Sequence, residues 1–139
     1  MSSPQEENIK IIDENWNIKI PKIGLEASIS EGVSVEVLSK YVGHYENSGK
    51  VGSNICLKAY SSGNDVNYFE SIKSLRAEDE IIYKKDDYVG IYVVQFSGVI
   101  NSNDLTYLEQ NDVNMITLIT NIENESQYLR CVQAVLVEN

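Results

Sequence analysis

Apolar residues recur at every second position in several short segments of the chain, and this spacing predicts β-strands. Ile18 and Ile20 begin the first segment, 16–23. It contains Pro21, which cannot donate to a central ladder, so we predict an edge strand there. In 54–59, the residues Ile55, Leu57 and Ala59 fall on one side. Further strands are predicted at 80–83, 89–96, 115–120 and 130–137.

Two longer segments have the spacing of an amphipathic helix. They are 34–42, with Ser34 as its N-cap, and 66–76, with Asn64 or Asp65 as its N-cap. The residues predicted to face inward are Val33, Val37, Leu38 and Tyr41 in the first helix and Phe69, Ile72 and Leu75 in the second.

The chain is predicted to be one domain that follows a polar start. Residues 1–15 are polar and acidic and predict a flexible segment, whereas 16–139 predict a β-rich domain. Residues 103–109 add one or two helical turns. Many short strands with few helices are typical of a closed barrel or a sandwich. A chain of 139 residues is long enough to bury one sizeable core.

Charge and hydropathy exclude several classes of partner. The formal net charge of −10 argues against binding to nucleic acid and to anionic membrane surfaces, since both attract cations. No apolar run approaches the roughly 20 residues needed to span a bilayer. The start MSSPQEEN lacks the pattern of a signal peptide. Two interpretations follow: a cytosolic protein, or a domain whose N-terminal anchor is not part of this sequence.

The cysteines and the histidine do not predict a metal or cofactor site. Cys56 and Cys131 permit one disulfide at most, and the sequence does not place them in contact. His44 is the single histidine, and no cluster has the spacing of metal ligands. The acidic loop residues Asp104, Glu109 and Asp112 are interpreted as solvated surface, with a faint calcium signal.

Five segments, taken in order, resemble the sortases, a family of bacterial cell-surface cysteine transpeptidases. IPKIGLEASISEG resembles the opening strand, and YVGHYENSG followed by VGSNICLKAY resembles the segment that ends in the catalytic histidine. NYFESIKSLRAEDEIIY resembles the next helix and strand, with Glu78-Asp79 where the family usually has glycine-aspartate. MITLITN resembles the strand that ends in threonine-cysteine, and NIENESQYLRCVQAVLV resembles a loop and the final strand. The ordered set covers residues 16–138.

The resemblance implies a fold, a location and a set of site residues. The fold would be a mainly β, closed barrel of about eight strands with a few short helices. The domain would lie outside the cell membrane, tethered by an upstream anchor. The family's catalytic histidine, cysteine and arginine map onto Tyr60, Asn121 and Arg130. Arg130, Lys58 and Thr120 would be binding residues.

Two of these three positions lack the chemistry of the family. The nucleophile of a transpeptidase is a thiolate, and the amide of Asn121 cannot replace it because its nitrogen lone pair is delocalised. A tyrosine hydroxyl has an ordinary pKa of about 10, so Tyr60 is a poor acid for a leaving amine at neutral pH. Without a nucleophile, Arg130 has no developing charge to stabilise. A catalytically inactive pseudo-sortase is therefore predicted.

No other residue is predicted to take over the lost roles. Cys56 lies four residues before Tyr60, about 13 Å away at roughly 3.3 Å per residue. Cys131 follows Arg130 in the same predicted strand, and successive side chains of a strand point to opposite faces, so Cys131 should point away from Arg130. A new triad of His44 with Ser61 or Ser62 is disfavoured.

Structural roles remain open for each residue of the set. Tyr60 would fill the volume of the imidazole, and Asn121 would end its strand, since asparagine suits turns. Arg130 would be a structural cation bonded to Asn121, Tyr60 or a loop carbonyl, and Lys58 a surface charge.

Three hypotheses for function follow from this set of residues. The first is a pseudo-sortase that binds a sorting-signal peptide or a cell-surface protein. The second is an active transpeptidase or hydrolase with atypical catalytic residues. The third is a structural subunit beside an active sortase.

Overall fold

A computed structural model describes residues 15–46, 48–49 and 52–139. Within them eight strands form a closed barrel in the spatial order β1-β2-β3-β4-β7-β8-β6-β5, which confirms the predicted mainly β barrel. The strands are β1 (Trp16–Ile20), β2 (Leu25–Glu31), β3 (Val42–His44), β4 (Asn54–Lys58), β5 (Glu80–Lys85), β6 (Tyr88–Asn101), β7 (Met115–Asn121) and β8 (Tyr128–Glu138). The helical elements are α1 (Val35–Leu38) and three 3-10 turns, Pro21–Ile23, Ile72–Ser74 and Leu105–Leu108.

The pairing of β4, β7 and β8 determines which residues meet at one end of the barrel. β4 and β7 are parallel, with Lys58 opposite Ile119, so their C-terminal ends lie side by side. β8 is antiparallel to β7, with Thr120 opposite Arg130, so the start of β8 lies at the same end. Three segments that are distant in sequence therefore converge there.

The main core fills the barrel, and a second cluster covers part of its outside. Inward-facing residues alternate along each strand, as predicted for Ile55, Leu57 and Ala59, which are all at most 1% exposed. The second cluster is built on Ile119 and Cys131, which point outward, and it packs under the 3-10 turn that contains Leu108 and under other half-buried apolar residues.

A bulge in β6 transfers its apolar residues from one cluster to the other. Tyr92 and Val94 lie in the main core, whereas Phe96 packs in the outer cluster. The pairing with β8 shifts register between Val94 and Phe96, so one extra residue is inserted and the side-chain alternation is reversed. The predicted strand 89–96 is thus the first half of a longer strand that continues past the bulge.

Two predictions about the first segment and the first helix need correction. β1 ends at Ile20 and Pro21 begins a 3-10 turn. β1 is paired on both sides, with β2 and β5, so the prediction of an edge strand is wrong. The helix predicted at 34–42 is the four-residue α1, although Ser34 caps it as predicted, accepting a hydrogen bond from the Val37 amide at 3.3 Å.

The prediction of a helix at 66–76 is also wrong, although the three residues predicted to face inward do so. Phe69, Ile72 and Leu75 are buried, but the helical part is a 3-10 turn at Ile72–Ser74, so Asn64 and Asp65 cap nothing there. A three-residue spacing matches the period of a 3-10 turn, and the amide of Phe69 is held by the Tyr60 carbonyl at 3.0 Å.

No helix in the described part of the chain has the length and apolar character of a membrane span. The predicted flexible segment 1–15 lies outside the described residues except for Asn15.

Candidate functional site

Hydrogen bonds join the segment after β4 to the end of β7. The hydroxyl of Thr120 donates to the carbonyl of Ala59 at 2.6 Å. The amide of Ser61 donates to Asn121 Oδ1 at 3.1 Å, and its hydroxyl donates to the carbonyl of Asn121 at 2.8 Å. Asn121 is therefore fixed in place by its side chain and by its backbone.

Asn121 and Arg130 line one cavity at this end of the barrel. Its volume is about 340 Å³. Its wall is formed by the end of β7, the start of β8, the segment after β4 and the 3-10 region before β5. The lining residues are Ser61, Ser62, Phe69, Glu70, Lys73, Thr120, Asn121, Ile122, Glu123 and Arg130.

Tyr60 lies beside this cavity without lining it. Ala59, the residue before it, packs in the main core. Tyr60 is half-buried, and its carbonyl accepts the amide of Phe69 at 3.0 Å. Of the three predicted positions, the structure brings Asn121 and Arg130 together and contributes Ser61, not Tyr60, to the wall of the cavity.

The guanidinium of Arg130 is available to a ligand. No residue in the described ranges makes an ion pair or a side-chain hydrogen bond with it, although Glu70 and Glu123 line the same cavity. The oxygen of the Asn121 amide is bonded to Ser61, with Thr120 at 3.4 Å. The structural alternative in which Arg130 is bonded to Asn121, Tyr60 or a loop carbonyl is therefore wrong within those ranges.

Two neighbouring cavities extend the first into a groove. A cavity of about 540 Å³ shares Ser62, Asn121, Ile122 and Glu123 with it. On the other side, a cavity of about 240 Å³ shares Glu70. We use the term end groove for the three cavities together, with Asn121 at the junction of the two larger ones.

The other two predicted binding residues have different positions. Thr120 lines the end groove but is 2% exposed, and its hydroxyl proton is committed to Ala59. Lys58 is half-buried at the end of β4, next to Gly43 and Ile119, and lies outside the lining of these cavities. Glu70, Lys73 and Glu123 also line the end groove and were not singled out from sequence, although each lies in a segment that resembles the family.

Neither cysteine can act as a nucleophile in the end groove. Cys56 and Cys131 are free thiols and are completely buried. Burial raises the pKa of the Cys56 thiol to about 12, and hydrogen bonds to Ser48 and Thr117 offset this only in part. Burial likewise raises the pKa of Cys131 to about 12. Cys131 faces the outer cluster, opposite to Arg130, as strand alternation predicted.

The described residues contain no group of three or more histidine, cysteine, aspartate or glutamate side chains that could hold a metal ion. Asp104 instead caps a 3-10 turn: its carboxylate accepts the amide of Thr106 at 3.0 Å and also the hydroxyl. These hydrogen bonds lower the pKa of Asp104.

Comparison with known proteins agrees with the geometry of the barrel. The family model described as Sortase domain matches residues 18–135. No curated protein sequence matches the chain.

Several solved structures share the fold. Sortase A from Corynebacterium diphtheriae, in a lid mutant, is similar with 22% identity and a TM-score of 0.82 over 98% of this chain and 75% of that one. The sortase D5 transpeptidase of Clostridium perfringens has 27% identity and a TM-score of 0.79 over 98% and 89% of the two chains. Sortase C1 from Streptococcus agalactiae has 22% identity and a TM-score of 0.81 over 100% and 78%.

Proposed function

The chain belongs to the sortase family, and we propose that it is a pseudo-sortase, which binds an extended sorting-signal peptide in the end groove without cleaving it. The observation that carries this proposal is that Asn121 and Arg130 line one cavity, in which no side chain of the described ranges forms an ion pair with the Arg130 guanidinium. The position that would hold the nucleophile has an amide, while the basic group that would contact the peptide remains available.

The end groove suits an extended ligand. Its central cavity shares lining residues with each of the other two, so a ligand longer than one cavity can extend from the central one to its neighbours. Arg130 presents donors that match a carboxylate or a peptide carbonyl, and such charge-assisted hydrogen bonds are among the stronger polar contacts. Ile122 gives the same wall an apolar surface for an aliphatic side chain.

The lack of a catalytic set supports binding rather than turnover. The hydroxyl of Ser61 is committed to the carbonyl of Asn121, and that of Ser62 lies 3.4 Å from the carboxylate of Glu123. The end groove has no histidine among its lining residues, so a serine there lacks a base. An active transpeptidase with atypical residues in this groove is the less favoured alternative, and a structural subunit with an empty groove is the third.

Family membership also bears on location and partners. We infer that the domain works outside the cell membrane, where sorting signals are presented, and that its partner is such a peptide or the surface protein that contains it. Its net charge of −10 disfavours nucleic acid as a partner.

Peptide binding by charge variants tests the proposal. Fluorescence anisotropy with labelled sorting-signal peptides should give a dissociation constant that rises about tenfold or more in Arg130→Ala, as expected for the loss of one charge-assisted contact. Arg76→Ala removes the same charge outside the end groove and is the matched control. Equal affinities in both variants would contradict a role for Arg130.

A further inference from the structure

A second cluster of chemically active side chains lies away from the end groove. His44 closes β3 and is 7% exposed. Its Nδ1 lies 2.7 Å from a carboxylate oxygen of Glu31, and its Nε2 lies 3.0 Å from the hydroxyl oxygen of Ser48. A carboxylate, an imidazole and a serine hydroxyl thus form one hydrogen-bonded chain, the arrangement that activates serine as a nucleophile.

The fold holds this chain of groups at fixed distances. β2 and β3 are parallel and place Glu31 directly opposite His44. The amide of Ser48 donates to the carbonyl of Tyr45 at 2.9 Å, which holds Ser48 close to the end of β3. The amide of Cys56 in β4 lies 3.3 Å from Ser48 Oγ and donates to it. That donor stabilises negative charge as it develops on the oxygen.

The three groups open onto a cavity of about 450 Å³. Besides these groups, its lining includes the carboxylates of Glu46 and Asp86, the rings of Trp16 and Tyr83, and Lys85. Trp16 and Tyr83 give it an aromatic wall, joined by a 2.9 Å hydrogen bond from the indole to the phenol oxygen. Of these residues, Lys85 has the permanent positive charge, and its ammonium lies 3.5 Å above the Trp16 ring.

We propose that Ser48, His44 and Glu31 form an acyl-transfer site that hydrolyses small uncharged carboxylic esters. Three carboxylates in the lining repel anionic esters, and the aromatic wall favours a compact apolar acyl group. Ser48 and His44 are the catalytic residues, and Glu31 is a positioning residue that holds the imidazole with Nε2 towards the serine.

Each step balances with water as the co-reactant. Ser48 Oγ attacks the ester carbonyl while its proton passes to His44 Nε2. The carbon–oxygen bond to the alcohol then breaks, and the leaving alcohol takes that proton. Water attacks the acyl-serine, gives its proton to Nε2, and releases the acid as the proton returns to Ser48. Lys85 is the cation in the lining that can stabilise the oxyanion.

Two other contacts determine how the cycle begins and continues. The hydroxyl of Ser48 also lies 2.8 Å from the carbonyl of Tyr45, so its hydrogen must rotate to Nε2 before attack. The carbonyl of Gly49 lies 3.2 Å from Nε2 and accepts a hydrogen bond from the ring once it is protonated. The imidazolium is therefore held between Glu31 and Gly49.

Covalent labelling of the unmodified chain tests the proposal without relying on any variant. An alkyl fluorophosphonate should add one phosphonyl group, and peptide mapping should place it on Ser48. The adduct should be absent when the reagent is added in urea. Labelling on another serine, or no adduct on the folded chain, would overturn the proposal.

Hydrolysis of p-nitrophenyl acetate separates catalysis from structure. Ser48→Ala and His44→Gln should each lower the rate on the order of 10²-fold or more, with folding checked by circular dichroism. Glu31→Gln should lower kcat with little change in KM, because Glu31 orients the imidazole through its 2.7 Å contact with Nδ1 and does not bind the ester. Ser74→Ala, at an exposed serine outside both cavities, should hydrolyse the ester normally. Retained activity in folded Ser48→Ala would refute the site.

Discussion

Ser61 and Asn121 are joined by two hydrogen bonds, from the Ser61 amide to Asn121 Oδ1 at 3.1 Å and from the Ser61 hydroxyl to the Asn121 carbonyl at 2.8 Å. The pair closes the gap between the segment after β4 and the end of β7, and both residues line the end groove. The side chain and the backbone of Asn121 therefore both hold Ser61 at the wall of the end groove.

Introducing the histidine and the cysteine of the family at positions 60 and 121 should give some catalysis. The double variant Tyr60→His, Asn121→Cys supplies a thiol and an acid beside Arg130, which already lines the cavity. Each single variant should do little, because members of a catalytic unit are strongly non-additive. Cleavage of sorting-signal peptides, followed by mass spectrometry, measures the outcome.

The position of Tyr60 sets the limit of that rescue. The residue at position 60 does not line the cavity, so a histidine introduced there must turn towards position 121 to reach the thiol. Asn121→Cys also removes the acceptor of the Ser61 amide, at a cost of about 1 kcal/mol. A folded double variant that binds peptide and leaves it intact would show that the groove geometry has changed along with the side chains.

The strands could be predicted from the sequence because apolar residues alternate along each of them. The barrel could be predicted because the order of the motifs resembles that of the sortases. The sequence predicted a helix at 66–76 because residues 69, 72 and 75 are spaced at three, and that spacing suits a 3-10 turn equally well. The order of the motifs also predicted that Arg130 lies in the same site as Asn121. The position of Tyr60 could not be predicted in this way, because it depends on the direction of one side chain after β4.

Ser48 and Glu31 were not found from sequence for a different reason. Glu31 meets His44 through the parallel pairing of β2 and β3, a long-range relationship that no local pattern encodes. Ser48 reaches the ring through the turn after β3. Ser61 and Ser62, the two serines considered with His44 from sequence, lie in the end groove instead.

The two native thiols should be inert in the folded protein. Both side chains are completely buried, and burial raises the pKa of each to about 12, so the reactive thiolate is scarce at pH 8. A thiol reagent should therefore label neither residue over minutes, and both at once in urea. Asn121→Cys is the matched control, since its thiol stands half-buried in the end groove and should label. Rapid native labelling of Cys56 would contradict the burial.

The side chain of Asn54 should be a large contributor to stability. It is 1% exposed, and its amide donates to the carbonyls of Tyr107 and Glu109 at 3.0 and 3.1 Å. Its oxygen accepts the hydroxyl of Thr117 at 2.7 Å. Asn54→Ala leaves these groups unsatisfied and should lower the free energy of unfolding by about 3 kcal/mol.

Urea denaturation measures the loss of unfolding free energy in Asn54→Ala. Asn103→Ala, at an exposed asparagine, is the control and should stay within about 0.5 kcal/mol of the parent chain. A loss below about 1 kcal/mol in Asn54→Ala would mean that water or a neighbour replaces the amide.

Binding and cleavage measured on the same sample test the central claim most directly. The unmodified chain is incubated with a panel of sorting-signal peptides, with anisotropy reporting binding and mass spectrometry reporting intact peptide and any adduct of the protein. A pseudo-sortase should bind at least one peptide saturably, bind it about tenfold or more weakly in Arg130→Ala, and leave every peptide whole with no acyl adduct in the end groove. Cleavage at the sorting signal by the unmodified chain, or saturable binding to none of the peptides, would contradict it.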